Sequence, residues 1–394
     1  MTFPGRFSSL PDYVFPRLRK LLDGRAPGAE PFDMTIGEPR HGMPDFVAEI
    51  MAEEVGGFAR YPKNEGTEAL REAIAGWLGR RYGAALDPDS QIISLNGSRE
   101  GLFHAALALC PEEKAGQRPA ILTPNPFYGA YTLGAPVLGA DLHFVSATEE
   151  TGYLPRFDAL PEELLQRTAL VYVGSPSNPH GAVASMDYWE ALLGLAERHG
   201  FTVLADECYS EIYRDVPPPG AFEAMQRAGT DPERLVVFNS LSKRSNLPGL
   251  RAGFAAGGKD AIARMKLLRA WGGAPLPGPI QAVAARAWSD ETHVEGNRLL
   301  YRQKYDLADE IFGEVPGYAP PEAGFFLWLP VDDGEDAAIR AWEGQGLRIL
   351  PGAYFARGDA DGVLPGTGRV RVAMVAPVDD LRGALHRLRD VLYD

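Results

Sequence analysis

ALVYVG (169–174) and FTVLA (201–205), with DYWEALLGLAER (187–198) between them, decide the class of fold. The two apolar runs are continuous rather than alternating, as strands buried on both faces are. The stretch between them carries its apolar residues at helical spacing. Strand, helix, strand in succession predicts a largely parallel sheet wrapped by helices. Working outward, 91–95, 120–123 and 235–238 read as further strands and 99–109 as a further helix; the strand at 120–123 ends at the turn residues Pro124 and Pro126.

From about residue 297 the texture changes. A helix is expected over 297–312, a strand over 324–329 with Phe325, Phe326 and Trp328, and a helix over 336–344. A strand at 368–374 and a closing helix at 377–392, carrying Arg382, Arg387 and Arg389, complete the pattern. This mix predicts a smaller α+β domain. The expected plan is an N-terminal segment 1–44 that joins the small domain, a large domain 45–292 and a small C-terminal domain 293–394.

The bulk properties agree with a two-domain globular chain. It has 394 residues, 45% hydrophobic and 23% charged, an ordinary balance for a sizeable core. The net charge of -14 argues against a nucleic-acid footprint, while leaving room for a few arginines to line a pocket for anionic substrates. Two cysteines, Cys110 and Cys208, make no disulfide framework. The start lacks an apolar signal core, and no apolar run reaches the roughly 18 residues of a membrane span. A reduced, cytoplasmic location is the default expectation. Seven scattered histidines show no zinc spacing, so no metal is expected.

The chemistry concentrates in NSLSKRSNLPGLRAG (239–253). Lys243 follows a predicted buried strand, among Ser240, Ser242 and Ser245, with Arg251 eight residues on. Such a segment is either a solvated basic turn or a phosphate pocket. A lysine there with a shifted pKa can attack an aldehyde. Asp206 stands at the end of the FTVLA strand, where ligand crevices of parallel sheets lie. Asn178-Pro179 with Gly181 makes a good turn after another strand. Gly97-Ser98-Arg99 opens a helix after a strand, a place equally suited to a cap and to a phosphate. GFAAGGKD (253–260) nearly matches a nucleotide phosphate loop, but Asp260 occupies the position that needs Ser or Thr. Neither GxGxxG after the first strand nor a GxSxG elbow is present.

Ser240-x-x-Lys243, then Gly249-x-Arg251-x-Gly253, resembles the cofactor-lysine signature of fold-type I aminotransferases, class I/II. The other motifs follow in that family's order along nearly the whole chain. The resemblance implies an aspartate-aminotransferase-like α/β fold whose large domain binds pyridoxal 5'-phosphate. It makes Lys243 the amine that attaches to the cofactor and later moves the proton. Ser240, Ser242, Arg251 and the Gly97-Ser98-Arg99 turn would hold the phosphate. Asp206 would lie under the pyridine nitrogen, where its charge keeps the ring an electron sink. Tyr209 and Asn178 would bond the ring oxygen, and Tyr128 would stack on the ring, with Phe127 as its competitor. Arg371 would grip the substrate α-carboxylate, although Arg369 shares its strand face. Gly37 would meet that carboxylate through its backbone, beside Asn178. Tyr61 would reach the phosphate of a neighbouring subunit, which implies a homodimer with shared sites.

The implied reaction moves an amino group between an amino acid and 2-oxoglutarate. SKRSNLPGLR (242–251) resembles the variant in succinyldiaminopimelate aminotransferases of bacterial lysine synthesis, with Arg244, Ser245, Asn246 and Pro248 as the discriminating positions. That donor, N-succinyl-LL-diaminopimelate, carries additional carboxylates and calls for a further basic group, for which Arg40 and Arg99 are candidates. The alternatives are an aspartate-like or broad-specificity aminotransferase and a carbon–sulfur lyase of the same cofactor class. No nucleic acid or membrane partner is expected.

Overall fold

The computed structural model describes Gly5 and residues 13–358, 362 and 364–394. The strands are β1 (Phe32–Asp33), β2 (Ile92–Leu95), β3 (Ala120–Asn125), β4 (Asp141–Ser146), β5 (Thr168–Gly174), β6 (Thr202–Asp206), β7 (Leu235–Ser240), β8 (Gly253–Gly257), β9 (Phe326–Pro330), β10 (Leu347–Arg348), β11 (Leu350–Pro351) and β12 (Arg369–Ala373). Seven form one sheet in the order β2-β8-β7-β6-β5-β3-β4. The β7-β6-β5-β3-β4 run is parallel, and β8 alone runs antiparallel to both its neighbours. The α/β class expected from the ALVYVG and FTVLA runs is the class observed.

The helix Met186–His199 shows how local sequence makes the crossover. Ser185 accepts a hydrogen bond from the Tyr188 N–H at 3.1 Å, satisfying one of the free donors of the first turn. Trp189, Leu192, Leu193, Leu195 and Ala196 form its buried stripe. That stripe packs with Val171, Val203 and Val237 of the sheet in one hydrophobic cluster, while the opposite face of the sheet is covered by the helices Ser98–Leu109 and Lys259–Gly272.

The near-match to a phosphate loop is part of this framework. GFAAG is β8, buried along its whole length, and Gly258 caps the helix Lys259–Gly272. The first-turn N–H groups of Asp260 and Ala261 donate to the two carboxylate oxygens of Glu233, both at 2.9 Å. A carboxylate therefore already occupies the place where a nucleotide phosphate would bind. Small residues hid β8 from a reading based on bulky apolar runs, and polar Asp141, His143 and Ser146 hid the edge strand β4.

The remaining strands build a second assembly. β11-β12-β9 form an antiparallel sheet, and β1 pairs with β10 in parallel. The helices Thr292–Phe312, Gly334–Gln345 and Val378–Tyr393 pack on it around Tyr305, Phe312, Leu329, Leu350, Val372 and Leu385. Among the described residues, no helix is long and apolar enough to cross a membrane, and no group of His, Cys, Asp or Glu is placed to hold a metal.

Register in the large sheet sets up the functional edge. Gly253, at the start of β8, pairs with both Leu95 and Ser240, the last residues of β2 and β7. Asp206 pairs with Phe238, and Gly174 with Asp206. Because β8 is reversed, its leading Arg251 arrives at the carboxyl ends of its neighbours, next to the turns after β2 and β7.

Phe254 is fully buried, 5.1 Å edge-on to Trp288 and 6.0 Å from Trp77. Phe254→Ala is expected to destabilise the protein by about 3–5 kcal/mol, read as a lower urea midpoint by circular dichroism. An unchanged midpoint would contradict this packing.

Candidate active site

Lys243 sits in the single helical turn Leu241–Arg244 directly after β7. Its Nζ donates to the Gly37 carbonyl and lies 5.2 Å from the centre of the Phe325 ring and 6.0 Å from that of Tyr209. Burial lowers its pKa to about 8, and the positive charges of Arg371 and Arg251 push the same way against Cys208 and Glu38. A lysine amine in this setting has a far larger neutral fraction near neutral pH than an ordinary lysine, as a nucleophile or base requires. The close approach of segment 35–41 depends on Gly37, where a Cβ would fall 2.6 Å from the Phe326 ring.

A donor-rich corner lies beside it. Gly97 has φ +84°, and a Cβ there would come 2.3 Å from Arg251 Nη2. Ser98 begins the twelve-residue helix Ser98–Leu109. Ser240 Oγ and Ser242 Oγ are 2.9 Å apart. Arg251 donates to the carbonyls of Pro248 and Asn96, at 2.9 and 3.3 Å, and to no carboxylate among the described residues. Hydroxyls, a guanidinium and a helix start, converging without a counter-anion, fit a phosphate group.

Asp206 is the buried carboxylate of the group. Tyr131 donates its hydroxyl to Oδ2 at 2.9 Å, and the Cys208 N–H donates to Oδ1 at 3.3 Å. Burial raises the carboxyl's pKa, against those two bonds and the attraction of Lys243. A cationic ring nitrogen would relieve this burial cost. Tyr128 lies edge-on to Tyr131 at 5.5 Å and accepts from Arg99 Nε at 2.7 Å. Phe127 instead packs on Phe144, and its N–H donates to the Phe355 carbonyl at 2.8 Å. Of the two aromatics, then, Tyr128 is the one placed with Asp206's partners. Cys208 turns its thiol to Ser98 Oγ at 3.1 Å. Tyr209, pushed well above the usual phenol range by burial, is a neutral donor next to Lys243.

Arg371 closes the opposite side. It is 4% exposed, with Nη1 on Asn178 Oδ1 at 2.9 Å and Nη2 on the Thr35 carbonyl at 2.6 Å. Its guanidinium lies 4.1 Å from the Phe326 ring centre and 4.4 Å from that of Phe355, and its buried Nε has no hydrogen-bond partner. Burial lowers its pKa to about 10. A buried cation without a carboxylate costs several kcal/mol, a cost that an anionic ligand offsets. Arg369, on the same strand face, is committed to Glu149 at 2.7 Å and to the Gly317 carbonyl at 3.1 Å.

Other residues fall outside this cluster. Tyr61 is 104% exposed and is not brought to the site of its own chain. Arg40 is exposed, its only side-chain hydrogen bond among the described residues a 3.5 Å contact to the Asp33 carbonyl. Arg244, Ser245 and Asn246 turn away from the ligand space. The Arg244 guanidinium lies 5.6 Å from the Trp77 ring and 5.0 Å from that of Trp288, and pairs with Glu291 at 2.7 Å. Ser245 meets His293 at 2.8 Å, and Asn246 meets Asn297 at 3.0 Å. These positions shape the turn carrying Lys243 rather than touch a substrate. Sequence reasoning missed Tyr131, Phe325 and Phe326, whose roles come from packing. It also missed Tyr13, whose hydroxyl acts on the charges of Arg99 and Arg371 from the N-terminal side.

The comparisons converge with this geometry. A model of the family described as aminotransferase class I and II matches residues 29–388. An LL-diaminopimelate aminotransferase from Desulforudis audaxviator (strain MP104C) is 32% identical over 98% of this chain and 97% of its own length. An aminotransferase from Neisseria meningitidis Z2491 has a similar structure, with a TM-score of 0.93 and 36% identity over 98% of this chain and 99% of that one. A probable N-succinyldiaminopimelate aminotransferase from Thermus thermophilus gives 0.83 and 30%, over 96% and 100%. With the sheet order, the buried lysine and a match along almost the whole length in agreement, the chain belongs to the class I and II aminotransferases, with the fold of aspartate aminotransferase.

Proposed function

We propose that this aminotransferase uses pyridoxal 5'-phosphate held at Lys243 and moves the amino group of N-succinyl-LL-diaminopimelate to 2-oxoglutarate. The observation that carries the chemistry is the buried Lys243 amine, its pKa lowered to about 8 by its surroundings, in the site that also holds the Asp206 carboxylate and an Arg371 guanidinium whose Nε has no partner. Ser98, Ser240, Ser242 and Arg251, with the Gly97 and Arg99 backbone, are read as the phosphate cradle. With the cofactor bound, Asp206 would hold the ring nitrogen's proton, Tyr209 and Asn178 would bond the ring oxygen, and Tyr128 would cover the ring face. When bound, the cofactor supplies an electron sink for the bond broken at the substrate α-carbon. Arg371 and Asn178, with the Gly37 backbone, orient the substrate α-carboxylate, so that the α-proton points at Lys243 Nζ. The neutral amine takes that proton, holds it as ammonium and returns it, acting as base and then as acid. The apolar wall of Phe325 and Phe326 excludes water from the transfer.

The donor is argued from the 242–251 stretch and from the Thermus relative named for the succinylated compound. A second reading, free LL-diaminopimelate, is favoured by the curated relatives that carry that name. Both donors end in a distal carboxylate. Arg99 is the basic group we assign to it, because it stands beside Tyr128 and Tyr13 without an ion-pair partner among the described residues. A second copy of the chain is proposed to complete the site. Exposed Val55, Phe58 and Tyr61 leave one short stretch apolar and uncovered, and Tyr61 is read as reaching the partner's phosphate.

Two measurements test these assignments. Arg371→Met should lower kcat/KM for every amino donor by about 30-fold or more, as loss of a desolvated charge pair does, whereas Arg369→Gln should stay within about twofold. The reverse ranking would transfer the carboxylate to Arg369. In a donor screen at fixed 2-oxoglutarate, N-succinyl-LL-diaminopimelate should outrun LL-diaminopimelate, aspartate and alanine. Arg99→Met should raise KM at least about tenfold for the diaminopimelate donors and leave alanine unchanged. Preference for the free compound would select the second reading, and activity on aspartate alone would end the diaminopimelate assignment.

A further inference from the structure

A second buried lysine takes no part in this chemistry. Lys304, in the helix Thr292–Phe312, is 0% exposed. Its Nζ donates to the Met374 carbonyl at 3.0 Å and lies 2.7 Å from His41 Nε2. His41 Nδ1 lies 2.7 Å from Asn297 Oδ1, which also accepts from Asn246 Nδ2 at 3.0 Å. An amide oxygen only accepts, so Nδ1 carries the ring proton and Nε2 is the acceptor facing Lys304. Asn297 Nδ2 reaches the Lys243 carbonyl at 3.5 Å.

His41 ends the segment whose carbonyls hold both site cations, Thr35 on Arg371 and Gly37 on Lys243. The near end of that segment is tied to β12 by the Ala373 N–H on the Met34 carbonyl at 2.8 Å. Between the two ties, its internal bonds are local, such as the Glu38 N–H on the Ile36 carbonyl at 2.9 Å. We propose that His41, clamped between Lys304 and Asn297, is a positioning residue that fixes segment 35–41 for substrate-carboxylate binding, and that a proton on its Nε2 releases the segment.

The groups facing His41 make the release one-directional. From the helix Thr292–Phe312 come Lys304, Asn297 and the Tyr301 ring at 4.8 Å. The turn after Lys243 contributes Asn246, and the chain after β12 contributes only the Met374 carbonyl, on Lys304. Among the described residues, no carboxylate acts on His41 or Lys304. With Nε2 protonated, two donors would face each other with no acceptor between them. Burial already lowers the pKa of both groups, that of Lys304 to about 7, so neutral His41 is the state at neutral pH and the second proton arrives in acid.

The inference rests on Lys243 and Arg371 being the reacting end, so its test includes a readout that needs no activity. Hydrogen–deuterium exchange of segment 35–41, corrected for intrinsic rates, would be compared at about pH 8 and about pH 5.5 in wild type, His41→Gln and His41→Phe. Glutamine keeps one donor and one acceptor but does not titrate. Wild type should lose protection about tenfold or more in acid, His41→Gln should stay protected at both values, and His41→Phe should be unprotected at both. KM for the amino donor should follow the same pattern, with kcat within about twofold. Equal protection in all three proteins would overturn the clamp. The exchange pattern without any change in KM would overturn the link to substrate binding and leave the aminotransferase reading intact.

Discussion

The arrangement depends on keeping one lysine amine out of water without giving it a carboxylate partner. Lys243 is held by a backbone carbonyl and aromatic edges, and the nearby guanidinium groups of Arg371 and Arg251 disfavour its proton. An ion pair would have been more stabilising and chemically useless, because it would hold the amine as ammonium. The acidic partner that the site does contain, Asp206, is instead engaged by Tyr131 and the Cys208 amide. Two groups of opposite charge type are thus kept close, with their pKa values moved toward each other. Such a pairing is unfavourable for folding and suits a site that awaits a ligand.

The sheet provides the rigidity that this requires. Four strand ends and the start of a reversed strand meet at one edge, so Gly97, Asn178, Asp206, Lys243 and Arg251 are each set at the end of a strand; β5, β6, β7 and β8 are pinned on both sides, and the edge strand β2 is pinned by β8. Arg371 comes from the other sheet, on β12, and reaches the cluster through Asn178 and Thr35. The site therefore forms only where the two sheets face each other, with segment 35–41 as the strap between them.

Much of this was legible in the sequence, for identifiable reasons. Continuous apolar strands announce a parallel sheet, and Lys243, Asp206, Asn178 and Arg251 stand in motifs whose order carries the family. Alternatives that share a face or differ by one residue were not separable by pattern. Arg369 and Arg371 differ only in that Glu149 claims the first, and Phe127 and Tyr128 only in which neighbour each meets. Tyr131 and the His41–Lys304 contact depend on residues far apart in the chain, 75 and 263 positions, which no local spacing encodes. Arg244 shows the opposite error. A position that marks a subgroup in sequence is, in space, a core cation held between two tryptophans.

The central claim is that Lys243 is the lysine whose lowered pKa and place in the site together present a reactive amine to an aldehyde cofactor. Adding pyridoxal 5'-phosphate to the cofactor-free chain at a series of pH values, fixing the attached aldehyde with borohydride and mapping the modified peptide tests it most directly. The predicted result is labelling confined to Lys243, rising with pH with its midpoint at about 8. Labelling that falls mainly on Lys304 or on surface lysines, or a yield at Lys243 that rises only near the ordinary lysine pKa of about 10.4, would contradict it.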